Sequence, residues 1–297
     1  MNDATYSKNN KLWLSSSPLH ILLSLLYTKD ANALCHDVSA VLQKQSFCII
    51  NYVYWANIAA RGIRKKDLSD TAKEYIHALE VWDFVLMDGI AFQIVAYILF
   101  KVYFNKARWY ENINWTDFLP KLLLHAQKKY NIYLILYWAV DTIVKKSEKF
   151  LQKKGYSVIY TQAWYDNWFK QLDFDACQNA IDTTLAKWEE NIQFIFIQWV
   201  STLKKSLQEV RSVTNIEFIK KNKLLVCNQW GTFDHTSMWW EEKRSPDIVR
   251  RIKWERLRRL FVNPKKAKGK IARTFALMFY ILPKKIIEQF TKRFDKN

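Results

Sequence analysis

Short apolar runs rich in Ile, Val, Tyr and Phe alternate along this chain with longer amphipathic stretches, and that alternation limits the folds open to it. Ile132 to Leu136 is followed by Thr142 to Lys153, Ser157 to Tyr160 by a loop and then Ala176 to Trp188, and Ile192 to Gln198 by Lys204 to Ser212. Ile216 to Ile219 and Leu224 to Asn228 close the series as further strands. Such alternation predicts an α/β, Rossmann-like fold, a mostly parallel sheet with helices on both faces. Upstream, Leu12 to Tyr27 reads as a short strand and an amphipathic helix, with Ser15 to Ser17 and Pro18 at the helix start. Phe47 to Asn51 is a second strand, Tyr54 and Trp55 begin a helix through Ala60 that Gly62 stops, and Asp67 to Leu79 is a helix leading into a strand at Val81 to Met87. Beyond Ser245-Pro246 the pattern turns helical and basic, broken at Asn263-Pro264 and Pro283. The expected division is an α/β domain over 1–245 and a basic helical appendage over 246–297.

Leu86-Met87-Asp88-Gly89-Ile90 closes one apolar run and opens another, Ile90 to Phe104, long enough for a helix. A strand ending in Asp-Gly and turning into a helix puts the carboxylate at the carboxyl edge of a sheet, where open α/β sheets bind ligands. Gly89 lets the backbone turn tightly, and the helix start behind it offers free N–H groups that suit a phosphate. The competing reading of Asp88 is a simple helix cap.

Cys35, Cys48, Cys177 and Cys227 lie far apart with no CxxC pair, which indicates neither a zinc site nor a disulfide framework and fits a reducing cytoplasm. Met1 to Leu12 lacks the regions of a signal peptide. No apolar stretch reaches the ~20 residues of a membrane-spanning helix. Gln93 and Lys101 break the longest, Ile90 to Phe104, which reads as a core helix. The net charge of +18 is unevenly placed: from Lys243 onward 18 Lys and Arg face four acids, a local balance of +14, which leaves +4 for the first 242 residues. A nearly neutral body with a basic tail points to an anionic partner, lipid, nucleic acid or a diphosphate. Nucleic acid is the weakest of these, because the aromatics lie in the neutral body, away from the basic groups that would hold a stacked strand.

Several segments, taken in order, resemble the WecG/TagA/CpsF family of bacterial glycosyltransferases. Asp88-Gly89 is similar to that family's Pro-Asp-Gly turn, with Met87 in place of proline, and Glu111 to Leu119 to its Glu-Arg-x-x-Gly-x-Asp-Leu segment. Thr232-Phe233-Asp234, Lys243-Arg244-Ser245-Pro246, Glu255 to Leu260 and Asn263-Pro264-Lys265-Lys266 follow in the family's order. The resemblance covers roughly Leu12 to Lys266.

It implies an inverting, metal-independent transfer of an N-acetylmannosamine-type sugar from a UDP donor to polyprenyl-diphosphate-linked N-acetylglucosamine, for a cell-envelope polysaccharide or teichoic-acid-like polymer. No cofactor is implied beyond the UDP-sugar itself. Asp88 would be the base, with Asn51, the Asn of a Thr-x-Asn turn, near the sugar or acceptor. Gly89, Arg108, Glu111, Asp117, Tyr165, Phe233, Asp234, Arg244, Arg251, Arg258 and Arg259 would bind substrate. Arg250, Arg251, Arg258 and Arg259, with Lys265, Lys266, Lys268 and Lys270, suit a diphosphate or anionic head groups. Phe275, Leu277, Met278, Phe279 and Ile281 suit the membrane interface, so the expected place is the inner face of the cell membrane, peripherally bound. Family members form homo-oligomers, which extends that expectation to this chain.

Three matches are absent: Ile49 stands for the turn's threonine, Asn112 for an arginine facing the donor phosphates, with Arg108 one turn earlier, and Leu203 or Lys204 for a glutamine. They supply the alternative, a catalytically silent relative that binds lipid or a partner. Asp173-Phe174-Asp175 has the DxD form of metal-binding glycosyltransferases but sits in a polar loop, and His20, His36, His77, His125 and His235 are scattered.

The chain has 14 Trp and five Gly, against an average glycine usage of about 7%. Trp13, Trp115, Trp138, Trp164, Trp199, Trp230 and Trp240 fall where the family places glycine at strand ends and turns, and Trp is the poorest substitute there. A gene using UGA for glycine, translated with UGA read as Trp, accounts for this; UGG codons at the seven positions exclude it. The alternative is a divergent chain whose tryptophans are core or sugar-stacking residues.

Overall fold

The structure, a computed structural model, describes residues 18–54, 79–80, 82–88, 93, 96–101, 113, 115–138, 140–163, 165–166, 168–169, 172–187, 189–199, 216–229, 283 and 287. Eight strands are present: β1 Cys48–Tyr54, β2 Phe84–Asp88, β3 Asn131–Trp138, β4 Ser157–Ala163, β5 Tyr165–Asp166, β6 Trp168–Phe169, β7 Ile192–Trp199 and β8 Leu225–Gln229. Six of them form one sheet in the order β2-β1-β8-β7-β3-β4 with every pair parallel, while β5 and β6 make a small antiparallel ribbon. The helices are α1 Pro18–Leu25, α2 Ala31–Gln45, α3 Trp115–Gln127, α4 Asp141–Lys153, α5 Phe174–Leu185 and α6 Ile216–Lys221.

Parallel strands covered on both faces must be apolar at nearly every position, and these are. Alternate residues supply two cores. On the first face Ile50, Leu86, Leu134, Ile197 and Cys227 pack with Leu34 and Val38 of α2, Phe118 and Leu122 of α3, and Val144 and Leu151 of α4. On the second, Ile49, Ile135, Phe196 and Val226 pack with Cys177 and Ile181 of α5 and Ile219 of α6. The fold is therefore the expected Rossmann-like α/β sheet with helices on both faces.

Local chemistry sets the element ends. Asp30 starts α2 by accepting from the Ala33 amide at 2.8 Å, and Ser46 ends it in the left-handed region at φ 65°. Gly155 takes φ 85° in the turn from α4 into β4, where a side chain would be strained.

Several boundaries differ from expectation. Tyr54 is the last residue of β1, not the first of a helix, because the strand runs on in register with β2 to the Tyr54–Asp88 pair. β2 starts at Phe84, since Asp83 turns its carboxylate onto the Ile49 amide before the strand begins. Ile216 to Ile219 is helical rather than extended: Ile216 and Ile219, three apart, both reach the second core, as one face of a helix allows. β4 runs to Ala163, beyond the loop expected after Tyr160. α2 and α3 are additional helices that the strand-centred reading passes over. The Leu12 strand, the helices over 55–60 and 204–212 and, apart from the helical Pro283 and Ile287, the basic tail lie outside the described residues.

The chain divides into two compact units, Met1–Gly89 with Glu111–Ser237, and Ile90–Tyr110 with Met238–Asn297. Among the described residues no helix is long and apolar enough to cross a membrane.

Candidate functional site

The order of the strands leaves one crevice defined by topology. β3 leads through α4, on the first face, to its outer neighbour β4; β7 leads through α6, on the second face, to β8 on its other side. Since β3 and β7 are adjacent, their onward connections part to opposite faces of the sheet, which makes their carboxyl ends a topological switch point. Ligands of open α/β sheets bind at such a point. The strands end there at Tyr137-Trp138 and Gln198-Trp199, Tyr137 being the register partner of Gln198.

Asp88 ends β2 at the same carboxyl edge, paired with Tyr54 of β1. β2 lies three strand intervals from β7, about 14 Å at the usual inter-strand spacing. Between them runs a row of carboxamides. Gln198 pairs with Asn228 of β8 in the parallel register, and Asn51 stands one residue beyond the Ile50–Cys227 pair of β1 and β8. All three belong to the second face, two residues beyond the apolar Ile49, Val226 and Phe196 of their strands. They are 0%, 2% and 6% exposed for Gln198, Asn228 and Asn51 respectively. Gln198 Nε2 donates to Asn228 Oδ1, and among the described residues the Asn51 carboxamide has no hydrogen-bond partner.

The outer end of the crevice is braced separately. Gln162 Oε1 accepts from the Tyr160 hydroxyl and from the Asp173 amide, both at 2.8 Å, tying β4 to the start of α5. Burial, helped by Cys177 and Asp173, pushes the Tyr160 hydroxyl up to about 12. The Asp173 carboxylate accepts from the Ala176 amide at 2.9 Å, so the first acid of the DxD signature is a helix cap.

Of the residues expected from sequence, Asp88 and Asn51 come to neighbouring strands. Asp117 lies in the first turn of α3, a helix of the first face, and Tyr165 in β5, just past β4 at the far edge from β2. Gly89, Arg108, Glu111, Phe233, Asp234, Arg244, Arg251, Arg258 and Arg259 lie outside the described residues, as do Asn112, Leu203 and Lys204. Ile49 is buried in the second core. The four cysteines are buried and unbridged; burial raises the thiols, Cys35 to about 11 and Cys177 to about 12. Gln198 and Asn228 were not anticipated; their only signal is a single polar residue at the end of each apolar run.

The fold defines a parallel α/β protein, and the carboxyl edge of its sheet is the candidate site. Comparison with protein-family models and with curated proteins finds no match for the chain.

Proposed function

We propose that the chain is an inverting, metal-independent glycosyltransferase that moves an N-acetylmannosamine-type sugar from UDP to polyprenyl-diphosphate-linked N-acetylglucosamine. The observation that carries the reading is Asp88 as the terminal residue of a parallel strand at the edge where the β3–β7 crevice opens. A nucleotide sugar is long enough to run from that crevice toward β2, its sugar carried past Asn51. In the reaction the Asp88 carboxylate takes the proton of the acceptor hydroxyl as that oxygen attacks the anomeric carbon from the side opposite the diphosphate. The carbon–oxygen bond to UDP breaks, the configuration inverts, and UDP leaves with the bonding pair. Arg and Lys of the basic tail hold the protein to the anionic inner membrane face.

A second reading, a silent relative that binds lipid or a partner, is favoured by Ile49, which puts a buried apolar side chain where the family carries a hydroxyl. One experiment separates the two. The protein, as translated and with glycine at the seven tryptophans, is given UDP-N-acetylmannosamine and a short polyprenyl-diphosphate acceptor, beside Asp88→Asn. UDP release that falls at least about a hundredfold in the variant supports the transferase, on the scale general bases contribute. No release with any of several UDP-sugars, while anionic liposomes still bind, supports the silent relative.

A further inference from the structure

The carboxamides of Asn51, Asn228 and Gln198 stand side by side in one row of the second sheet face, and the neighbouring positions show what the sequence places there when nothing else is required. Ile49, Val226, Phe196 and Ile135 fill them. A buried carboxamide is costly unless its hydrogen bonds are made, and most in folded proteins are made. Here only part of the set is used. Gln198 holds Asn228 through Oδ1, and Asn228 Nδ2 has no partner among the described residues. Asn51 is likewise without a partner for Oδ1 or Nδ2, although it is more than nine-tenths buried. The row lies one residue short of the last residues of β7 and β8, Trp199 and Gln229, which pair with each other. It therefore forms the floor of the edge on which the crevice opens.

We infer that this row is a binding floor for a secondary amide, and, resting on the function proposed above, that it recognises the acetamido group of the transferred sugar. Two NH₂ groups and one carbonyl are left open. A secondary amide matches them: its carbonyl accepts from Asn228 Nδ2 or Asn51 Nδ2, and its N–H donates to Asn51 Oδ1. The group bound is neutral, because Asn51, Asn228 and Gln198 carry no charge to balance an ion at positions 6% exposed or less. A hydroxyl in place of the acetamido group spans only one of these contacts. Gln198 never touches the ligand; it positions Asn228.

The test measures binding of UDP, UDP-N-acetylmannosamine, UDP-N-acetylglucosamine and UDP-mannose to the full chain and to two variants. One is Asn51→Ala. The other is the double variant Gln198→Leu with Asn228→Leu, which removes both partners of the bond between them. The native chain is expected to prefer N-acetyl sugars to UDP-mannose by roughly tenfold or more, with the preference lost in both variants and UDP affinity unchanged. A double variant that keeps the full preference overturns the proposal and leaves the transferase reading standing. If the native chain binds no UDP compound, the transferase reading fails. The floor is then judged by the Asn51 side-chain amide signal in NMR, identified by its loss in Asn51→Ala: a shift with free N-acetylmannosamine but not with mannose supports it, and a shift with neither overturns it.

Discussion

Asp83 shows how much one side chain fixes at the amino edge of the sheet. Its Oδ1 accepts from Gln45 Nε2 and its Oδ2 from the Ile49 amide, both at 2.8 Å, so it joins the end of α2 to the starts of β1 and β2. Burial raises its pKa above the ordinary 3.8 against the pull of those bonds. A raised acid contributes stability that is complete below 3.8 and is lost as pH rises through the shifted value. Asp83→Asn turns an NH₂ toward an N–H and is expected to cost about 1–3 kcal/mol in urea unfolding. The deficit is largest in acid and narrows toward neutrality, since only the native chain carries this titration. At this scale the sequence was legible where punctuation marks a residue: Asp88 stands out because glycine follows it. Gln198 and Asn228 do not, because a polar residue closing an apolar run looks like a strand end, and only pairing across 30 positions brings the two together.

α2 and α3 pack across the first face, and their contact carries a titration of its own. Ser39 Oγ lies 3.1 Å from His125 Nε2, and the rings of His36 and His125 meet edge to face at 4.9 Å. Burial first, then His36, Lys129 and Lys128, hold the His125 pKa below 6.5. A depressed histidine contributes stability that is complete above 6.5 and is lost as pH falls through the lowered value. The thermal midpoint of the native chain is thus expected to drop on mild acidification more than that of His125→Gln, measured by circular dichroism. Equal slopes would remove His125 from the account. Neither helix was read from sequence, although Asp30 caps one and Leu34, Val38 and Leu42 mark its buried stripe. Their apolar positions are interleaved with polar ones and stand out less than the continuous apolar runs of the strands. α6 was misread for the opposite reason: four residues are too few to tell a period of two from a period of 3.6.

At the scale of the whole molecule, alternation gave the layered α/β class, because burial on both faces is written into every strand. It gave no strand order, since periodicity describes each strand's surroundings and not its neighbour. That order has β1 with β2 at one side, β3 with β4 at the other, and β7 and β8 inserted between β1 and β3. A chain ending at Glu190 is therefore expected to lack a closed sheet. It should unfold without a cooperative transition and aggregate, as read by urea titration and light scattering, whereas a compact soluble fragment would contradict the topology. The same order sets a timetable for birth on the ribosome. After β4 ends at Ala163, the inner edge of β3 waits 36 residues for β7 to end at Trp199 and that of β1 waits 66 for β8 to end at Gln229, so at about 10 residues per second both stand open for several seconds. During that interval the nascent chain displays two sticky, unpaired borders, and its yield in a cell will depend on chaperone supply and on pauses between those codons more than on the stability of the finished protein.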